Sequence, residues 1–310
     1  MARCQKCGKK PVIHIKYSGS DLCRDHFIEF VEKRVRKEIK QQGKLPKGAS
    51  LAVAVSGGKD SMSMLSILSE TFGPRTGISL TVLIVDEGLK GYRGKAIRLA
   101  KDFCSEREIA FEVLEFKKEF GIEMDEVANL GEEWRPCTFC GVLRRSLLNR
   151  RARELGAAKI AFGHNLDDMS QSVLMNVANG DVQRIVRLGP HVKVQEGLVP
   201  RLLPLRMIPE SEMILYADLK GIPYLEKHCP YRPRAHRLGF LEIINRLEEE
   251  TPGTKHSILS TYDQIIPALR EYYPPAQLNS CAECGEPTMG VICKACELVG
   301  RVRKALQQNI

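Results

Sequence analysis

The sequence predicts an α/β fold with a doubly wound parallel sheet, flanked at each end by a small cysteine-rich module. Three observations carry this. Short apolar runs alternate with helix-period stretches from residue 50 to about residue 225. The first run, Leu51-Ala52-Val53-Ala54-Val55, leads straight into Ser56-Gly57-Gly58-Lys59-Asp60-Ser61 and then a helical pattern. Paired cysteines at metal-ligand spacing stand near both termini.

Taken in order, residues 1–30 read as the first module. Cys4-x-x-Cys7 is followed by Cys23-x-x-His26, three sulfurs and an imidazole for tetrahedral zinc. So small a unit has little apolar mass, and the metal is expected to supply much of its stability. A charged helix over 27–42 follows, within a basic helical linker, 31–49. The catalytic domain spans 50–233, with strands expected at 51–55, 80–85, 110–115 and 159–162. Helices are expected between them, at 61–72, 94–107, 140–155 and 167–179. A parallel sheet of this kind binds its ligand at the carboxyl ends of its strands. Three loops should therefore meet at one crevice: the one after Val55, then Asp86-Glu87-Gly88, then Gly163-His164-Asn165-Leu166-Asp167-Asp168. The proline- and glycine-rich stretches 189–209 and 221–233 read as connections and short helices at the rim. A helical extension covers 234–275, and 276–310 carries Cys281-x-x-Cys284 and Cys293-x-x-Cys296. That is a four-cysteine zinc ribbon, with Gly285 and Gly290 suited to its tight knuckles.

Composition narrows the function. The 310-residue chain is 43% hydrophobic, and no segment approaches the roughly 18 uninterrupted apolar residues of a membrane span. Its first residues lack the apolar stretch of a signal peptide, so a cytoplasmic protein is expected. In that compartment eleven cysteines point to metal rather than disulfides. The formal net charge of +9 favours a polyanionic partner. The bases cluster at Lys33-Arg34-Val35-Arg36-Lys37 and at Arg144-Arg145 with Arg150-Arg151-Ala152-Arg153, which suggests RNA. Aromatic residues are only 6%, so no stacking platform for single strands is evident.

The chemistry concentrates in two places. Gly57 and Gly58 let backbone N–H groups converge on an anion, Lys59 adds charge, and Ser56 and Ser61 offer hydroxyls. The spacing is not that of a Walker A loop. Removing both terminal sets leaves Cys104, which reads as a buried apolar residue, and Cys137, Cys140 and Cys229. Cys137-x-x-Cys140 opens a helix beside Arg135, Arg144 and Arg145, a setting that favours thiolate. Three accounts of these sulfurs stay open: a cubane with one iron free of protein ligand, a persulfide relay, or zinc completed by His228.

The loop resembles the signature of PP-loop ATP pyrophosphatases. The whole pattern of both terminal units, Ser56 to Ser61, Cys137 and Cys140, Gly163 to Asp168, and Cys229 resembles the tRNA 2-thiouridine synthetases of the TtuA type and the cytosolic wobble-uridine thiolases. The resemblance implies an adenine nucleotide alpha hydrolase-like sheet, two Zn²⁺, and a [4Fe-4S] cluster on Cys137, Cys140 and Cys229. It implies ATP contacts at Ala54, Ser56, Gly57, Gly58, Lys59, Asp60, Ser61, Val85 and Gly163. Arg144 stands where family members carry a catalytic lysine, which suits it to clamp phosphate.

The implied enzyme is an ATP-dependent tRNA sulfurtransferase. Uridine O2 attacks the α-phosphorus of ATP, and sulfur then displaces AMP. Mg²⁺ on Asp60 or Asp168, with Lys59 and Arg144, offsets phosphate charge, and Asp168 is the carboxylate expected nearest the base. The base is expected to leave its stack. A ubiquitin-like sulfur carrier or free sulfide as donor and a homodimer are further implications. Two rival readings are a PP-loop ligase or amidotransferase synthetase, which has no need of three sulfurs, and a zinc-ribbon RNA scaffold with a vestigial ATP site.

Overall fold

The parallel sheet of the computed structural model is flanked by helices on both faces. The structure describes residues 2–72, 76–131, 133–191, 195–234 and 237–308. Ala235 and His236, the start of the stretch expected to be helical, and residues 192–194 of the rim connection lie outside them.

The chain opens with a hairpin, β1 (Ile13–Ile15) and β2 (Ser20–Leu22), followed by α1 (Arg24–Gln41). The sheet begins at β3 (Ser50–Val55), then α2 (Lys59–Thr71), β4 (Ser79–Asp86), α3 (Arg93–Glu106) and β5 (Ala110–Glu115). Two short helices, α4 (Phe116–Phe120) and α5 (Met124–Ala128), lead to α6 (Pro136–Glu154) and β6 (Lys159–Phe162). Next come α7 (Leu166–Ala178), α8 (Val182–Val186), β7 (Arg201–Leu202) and α9 (Glu210–Lys220). After a 3₁₀ turn at Arg232–Arg234 the chain ends with α10 (Leu238–Glu250), α11 (Thr254–Tyr272), β8 (Asn279–Ser280), β9 (Pro287–Thr288) and α12 (Lys294–Gln308).

The central order is β5-β4-β3-β6-β7, all parallel. The chain turns outward from β3 in both directions, so the crevice between β3 and β6 is the switch point where such sheets take ligands. The two-residue β7 went unrecognised in sequence because it is too short to alternate visibly, and it falls in the stretch read as a rim connection.

Alternation along the strands builds two separate cores. Leu51, Val53 and Val55 face one side, with α1, α2, α3 and α9. Ala52, Leu83, Val85 and Ile160 face the other, with α6 and α12. Cys4 and Cys23 belong to the first core, and Cys281 and Cys293 to the second, so the terminal modules pack on opposite faces of the sheet. A third cluster joins α7 to α11 through Leu166, Met169, Leu259 and Tyr262.

The helix in the basic stretch corrects the reading of 31–49 as a linker. Phe27, Val31, Val35 and Ile39 recur on one face of α1 and are buried; most of its charges occupy the outer face, while Glu38 is buried and Arg34 reaches a buried partner. The N-terminal module is locked to α9 through α1. Arg34 Nη1 pairs with Glu212 Oε2 at 2.7 Å and donates to Tyr17 Oη at 2.8 Å, and Tyr17 Oη donates to Glu212 Oε1 at 2.5 Å.

Candidate active site

Backbone geometry at the start of α2 gives each glycine a separate duty. Gly57 has φ +81, and a Cβ there would lie 2.6 Å from the Ala96 carbonyl oxygen of α3. Gly58 is the extended residue preceding α2, with φ −84. Ser61 Oγ accepts from the Ser56 N–H at 3.1 Å and donates to the Gly58 carbonyl at 3.0 Å. That hydroxyl ties the loop together, rather than serving as the free donor expected from the sequence. Gly163 lies directly behind the loop, where a Cβ would meet Ser61 N and Cα at 3.0 Å. The helix N-terminus therefore faces the crevice with its backbone donors free for an anion.

The cavity in front of this loop has a volume of about 530 Å³ and is lined by Gly58, Lys59, Asp60, Asn165 and Asp168, among others. Lys59 Nζ pairs with Glu210 at 2.6 Å and Asp60 at 2.9 Å. Burial works against its charge, but the two carboxylates win and raise its pKa. Burial raises Asp60 despite Lys59. Asp168 is also raised by burial, against Arg237 4.0 Å away. Asn165 caps α7 by accepting from the Asp168 N–H, and the Asp168 carboxylate returns the bond to the Asn165 N–H. The helix-cap duty thus falls to Asn165 and Asp168. Asp167 instead pairs with the buried Lys255 of α11 and accepts from the Glu210 N–H at 2.8 Å.

Glu87 and Arg93 brace the crevice from the β4 side. Arg93 Nε sits 2.6 Å from Glu87 Oε2, and its other nitrogens donate to the carbonyls of Ser56 and Val85. Ala54 and Val85 lie behind the cavity rather than on its lining; Val85 is 3% exposed.

The same braces reach the three central cysteines. Arg144 Nη1 is 3.5 Å from Glu87 Oε1, and its charge acts on Cys140 and Cys137. The Cys137 thiol points to the Tyr231 carbonyl at 3.5 Å, which brings the start of α6 against the loop bearing Cys229. Cys140, Cys229 and Tyr231 pack against one core, and His228, next to Cys229, lines the nucleotide-sized cavity. The three sulfurs do not line that cavity but adjoin it: Tyr92, on its lining, lies within electrostatic reach of Cys229.

Thiolate is not the ground state of this pair, contrary to the sequence expectation. Burial raises Cys137 and pushes Cys140 up to about 12, outweighing Arg144. A bound metal reverses that balance by taking the sulfur as thiolate.

Ligand spacing separates the three cysteine groups. In each terminal set all four ligand atoms lie within 4.8 Å of one another. Cys7 and Cys23 sulfurs are 3.6 Å apart, and Cys23 Sγ is 3.4 Å from His26 Nδ1. Cys284 and Cys293 sulfurs are also 3.6 Å apart. Tetrahedral zinc with bonds of roughly 2.3 Å needs sulfurs about 3.8 Å apart, so both sets fit it. The Cys293 N–H lies 3.2 Å from Cys281 Sγ and leads the effects that lower Cys281 to about 6. Cys137, Cys140 and Cys229 do not close to that spacing. A single tetrahedral zinc is therefore not framed by these three sulfurs as they stand. His228 lines the nucleotide cavity, within electrostatic reach of Arg232, Lys59 and Glu210.

Sequence reasoning missed Glu210, Arg93, Arg201 and Arg237. Pro209-Glu210-Ser211-Glu212 carries a helix-start signal, proline followed by first-turn acids, that would have located α9. The arginines have no local signal, because only the fold brings them to the crevice.

Comparison with known proteins places these features together in other chains. Residues 30–238 match the PP-loop domain model, and residues 3–28 match the model described as 2-thiouridine synthetase TtuA, N-terminal LIM domain. The tRNA 2-thiolation protein NcsA of Haloferax volcanii is 40% identical, covering 96% of this chain and 98% of that protein. The tRNA-5-methyluridine(54) 2-sulfurtransferase of Thermus thermophilus is 31% identical over 99% of this chain and 94% of its own. Among solved structures, the U34-tRNA thiolase NcsA of Methanococcus maripaludis, with its [4Fe-4S] cluster, is 34% identical. It superposes with a TM-score of 0.83 over 97% of this chain and 96% of that one.

Proposed function

We propose that this chain, which belongs to the PP-loop family of tRNA 2-thiolation proteins, converts a tRNA uridine to 2-thiouridine at the expense of ATP. One observation supports the reading: the loop bearing Cys229 meets the start of α6 at Cys137, and the preceding residue, His228, lines the cavity in front of the glycine loop. A ligase has no use for those sulfurs, and a scaffold has none for an intact loop. The wobble uridine is the proposed target, supported by likeness to proteins named as acting there.

In this reading the α2 N-terminus and Gly58 receive the ATP phosphates, and Lys59 moves from Glu210 to the incoming charge. Asp60, on the cavity lining beside Lys59, or Asp168 would hold Mg²⁺. Uridine O2 attacks the α-phosphorus, pyrophosphate leaves, and the base is adenylated on O2. Arg144, held by Glu87, offsets the phosphate charge that develops. Asp168, raised by burial, stands where it can exchange a proton with the base. A sulfur nucleophile then adds at C2 and expels AMP. A [4Fe-4S] cluster on Cys137, Cys140 and Cys229 supplies an open iron position for sulfur when bound. The terminal sets hold Zn²⁺. Family resemblance supports a ubiquitin-like carrier or free sulfide as donor, a homodimer and a cytoplasmic setting; no helix is long and apolar enough to cross a membrane.

The test is anaerobic purification with iron, sulfide and zinc counts, followed by nucleoside analysis of tRNA incubated with ATP and sulfide. The expected counts are about two zinc and about four iron per chain. The Cys137→Ala, Cys140→Ala and Cys229→Ala variants should keep the zinc and lose the iron. An iron-free protein after anaerobic reconstitution rejects the cluster, and absence of 2-thiouridine rejects the function.

A further inference from the structure

A second cavity, of about 230 Å³, lies between α6, the β6–β7 edge and the C-terminal ribbon. Its floor includes Phe162, Ile160 and Val142, and its rim carries Arg145 and Arg201. Among the described residues neither guanidinium has an ion pair or a side-chain hydrogen bond. The carboxylate in the cavity, Glu286, is already engaged by Arg153 at 2.5 Å. Arg145 is folded back over α6, where a Cβ on Gly141 would stand 3.3 Å from its Nη1. Two guanidiniums lining one space without a counter-ion repel each other in the free protein. Burial and mutual repulsion lower Arg145 to about 10, and burial lowers Arg201. Such a pair relaxes when an anion arrives.

The cavity adjoins the reaction crevice. Phe162 lines it, Asn165 lines the nucleotide cavity, and along the chain only Gly163 and His164 stand between. Burial and four guanidiniums, those of Arg237, Arg201, Arg144 and Arg145, hold His164 neutral, with a pKa near 3. The positive field is therefore continuous across the wall between the cavities.

We propose that this second cavity seats the RNA nucleotide adjoining the target uridine, with its phosphate between Arg145 and Arg201 and its base on the apolar floor at Phe162. The inference rests on the tRNA-thiolation reading. A phosphodiester group, with its charge spread over two non-bridging oxygens, can meet both unpaired guanidiniums at once, and the strand continues along the positive wall. A single carboxylate at a carrier protein's C-terminus has no such continuation. The apolar floor suits a base unstacked from its neighbours.

The holoenzyme, handled anaerobically, is assayed for binding of full-length tRNA across a salt series. Arg145→Ala, Arg201→Gln and the double variant are compared with the conservative Arg201→Lys. Arg145 projects from an exposed helix face, and glutamine and lysine both suit an edge strand, so the fold should hold; iron and zinc content and ATP affinity check this. Each charge removal should weaken tRNA binding about three- to tenfold and reduce the slope of log K against log salt by about 0.7. Arg201→Lys should retain the slope. The KM for tRNA should rise while turnover at saturating tRNA stays within twofold. Unchanged tRNA affinity and slope in the double variant overturns the proposal. So does a loss of thiolation confined to a protein-bound sulfur donor with tRNA binding intact, which would give the cavity to the donor. If the wild-type protein binds tRNA but makes no 2-thiouridine, the functional reading falls while the binding series still judges the cavity.

Discussion

Two adjacent glycines in the nucleotide loop should fail in different ways when given a methyl group. At Gly57 the backbone has φ +81, which costs an L-residue roughly 1–2 kcal/mol. The new Cβ would also lie 2.6 Å from the Ala96 oxygen and 2.9 Å from the Ala96 Cβ, inside a packed helix. Overpacking of that kind costs about 1–3 kcal/mol. Gly57→Ala should therefore destabilise the protein by about 2–5 kcal/mol, or roughly 4–10 °C in Tm at about 2 °C per kcal/mol. At Gly58 the backbone is ordinary, and a Cβ would approach Ser56 Oγ no closer than 3.6 Å. Gly58→Ala forfeits about 1 kcal/mol or less as a helix cap, so Tm should move by no more than about 2 °C. Its methyl, however, enters the cavity where phosphate must approach the backbone. ATP affinity should fall at least tenfold, about 1.4 kcal/mol. Thermal unfolding and titration calorimetry with a non-hydrolysable ATP analogue read the two effects separately. A Gly57→Ala protein that melts with the wild type, or a Gly58→Ala protein that binds the analogue normally, would refute this assignment.

Other perturbations probe the scaffold. Glu212→Ala leaves Arg34 facing a buried site without its acid and should cost about 3–5 kcal/mol; Arg34→Met with Glu212→Leu should recover most of the loss, as read by Tm. His191 is lowered to about 4 by burial, with Arg201 and Arg270 adding to it, against about 6.5 in an unfolded chain. Below pH 6.5 the unfolded chain takes a proton that the folded chain refuses, so this stability is full above pH 6.5 and fades as pH falls towards 4. A pH series of melting curves should show a shallower acid decline for His191→Gln than for wild type, and parallel curves would count against it.

The legible parts of this chain were those whose signal is local. The expected strands at 110–115 and 159–162 match β5 and β6: β6 is a short apolar run buried at its centre, and in the edge strand β5 Phe111, Val113 and Leu114 carry the signal beside two glutamates. The glycine loop and the terminal ligand sets were legible for a similar reason, since a tight turn and a tetrahedral metal impose spacing on nearby residues. Helix α1 shows the limit: its charges suggested a linker, while its buried face at Val31, Val35 and Ile39 made it part of the core. The thiolate expected at Cys140 failed because neighbouring charge can be read from sequence and depth of burial cannot.

The sequence alone determined the first four strands of the sheet and the long helices between them, the nucleotide loop and which sulfurs were left after the terminal sets, all of which rest on short-range covalent spacing. Tertiary structure alone decided that Cys229 meets the start of α6, that Glu210 waits on Lys59, and that Arg145 and Arg201 face one cavity. Those meetings join residues tens to more than a hundred positions apart. They depend on how strands order in the sheet and how helices seat on it, which no window of sequence records.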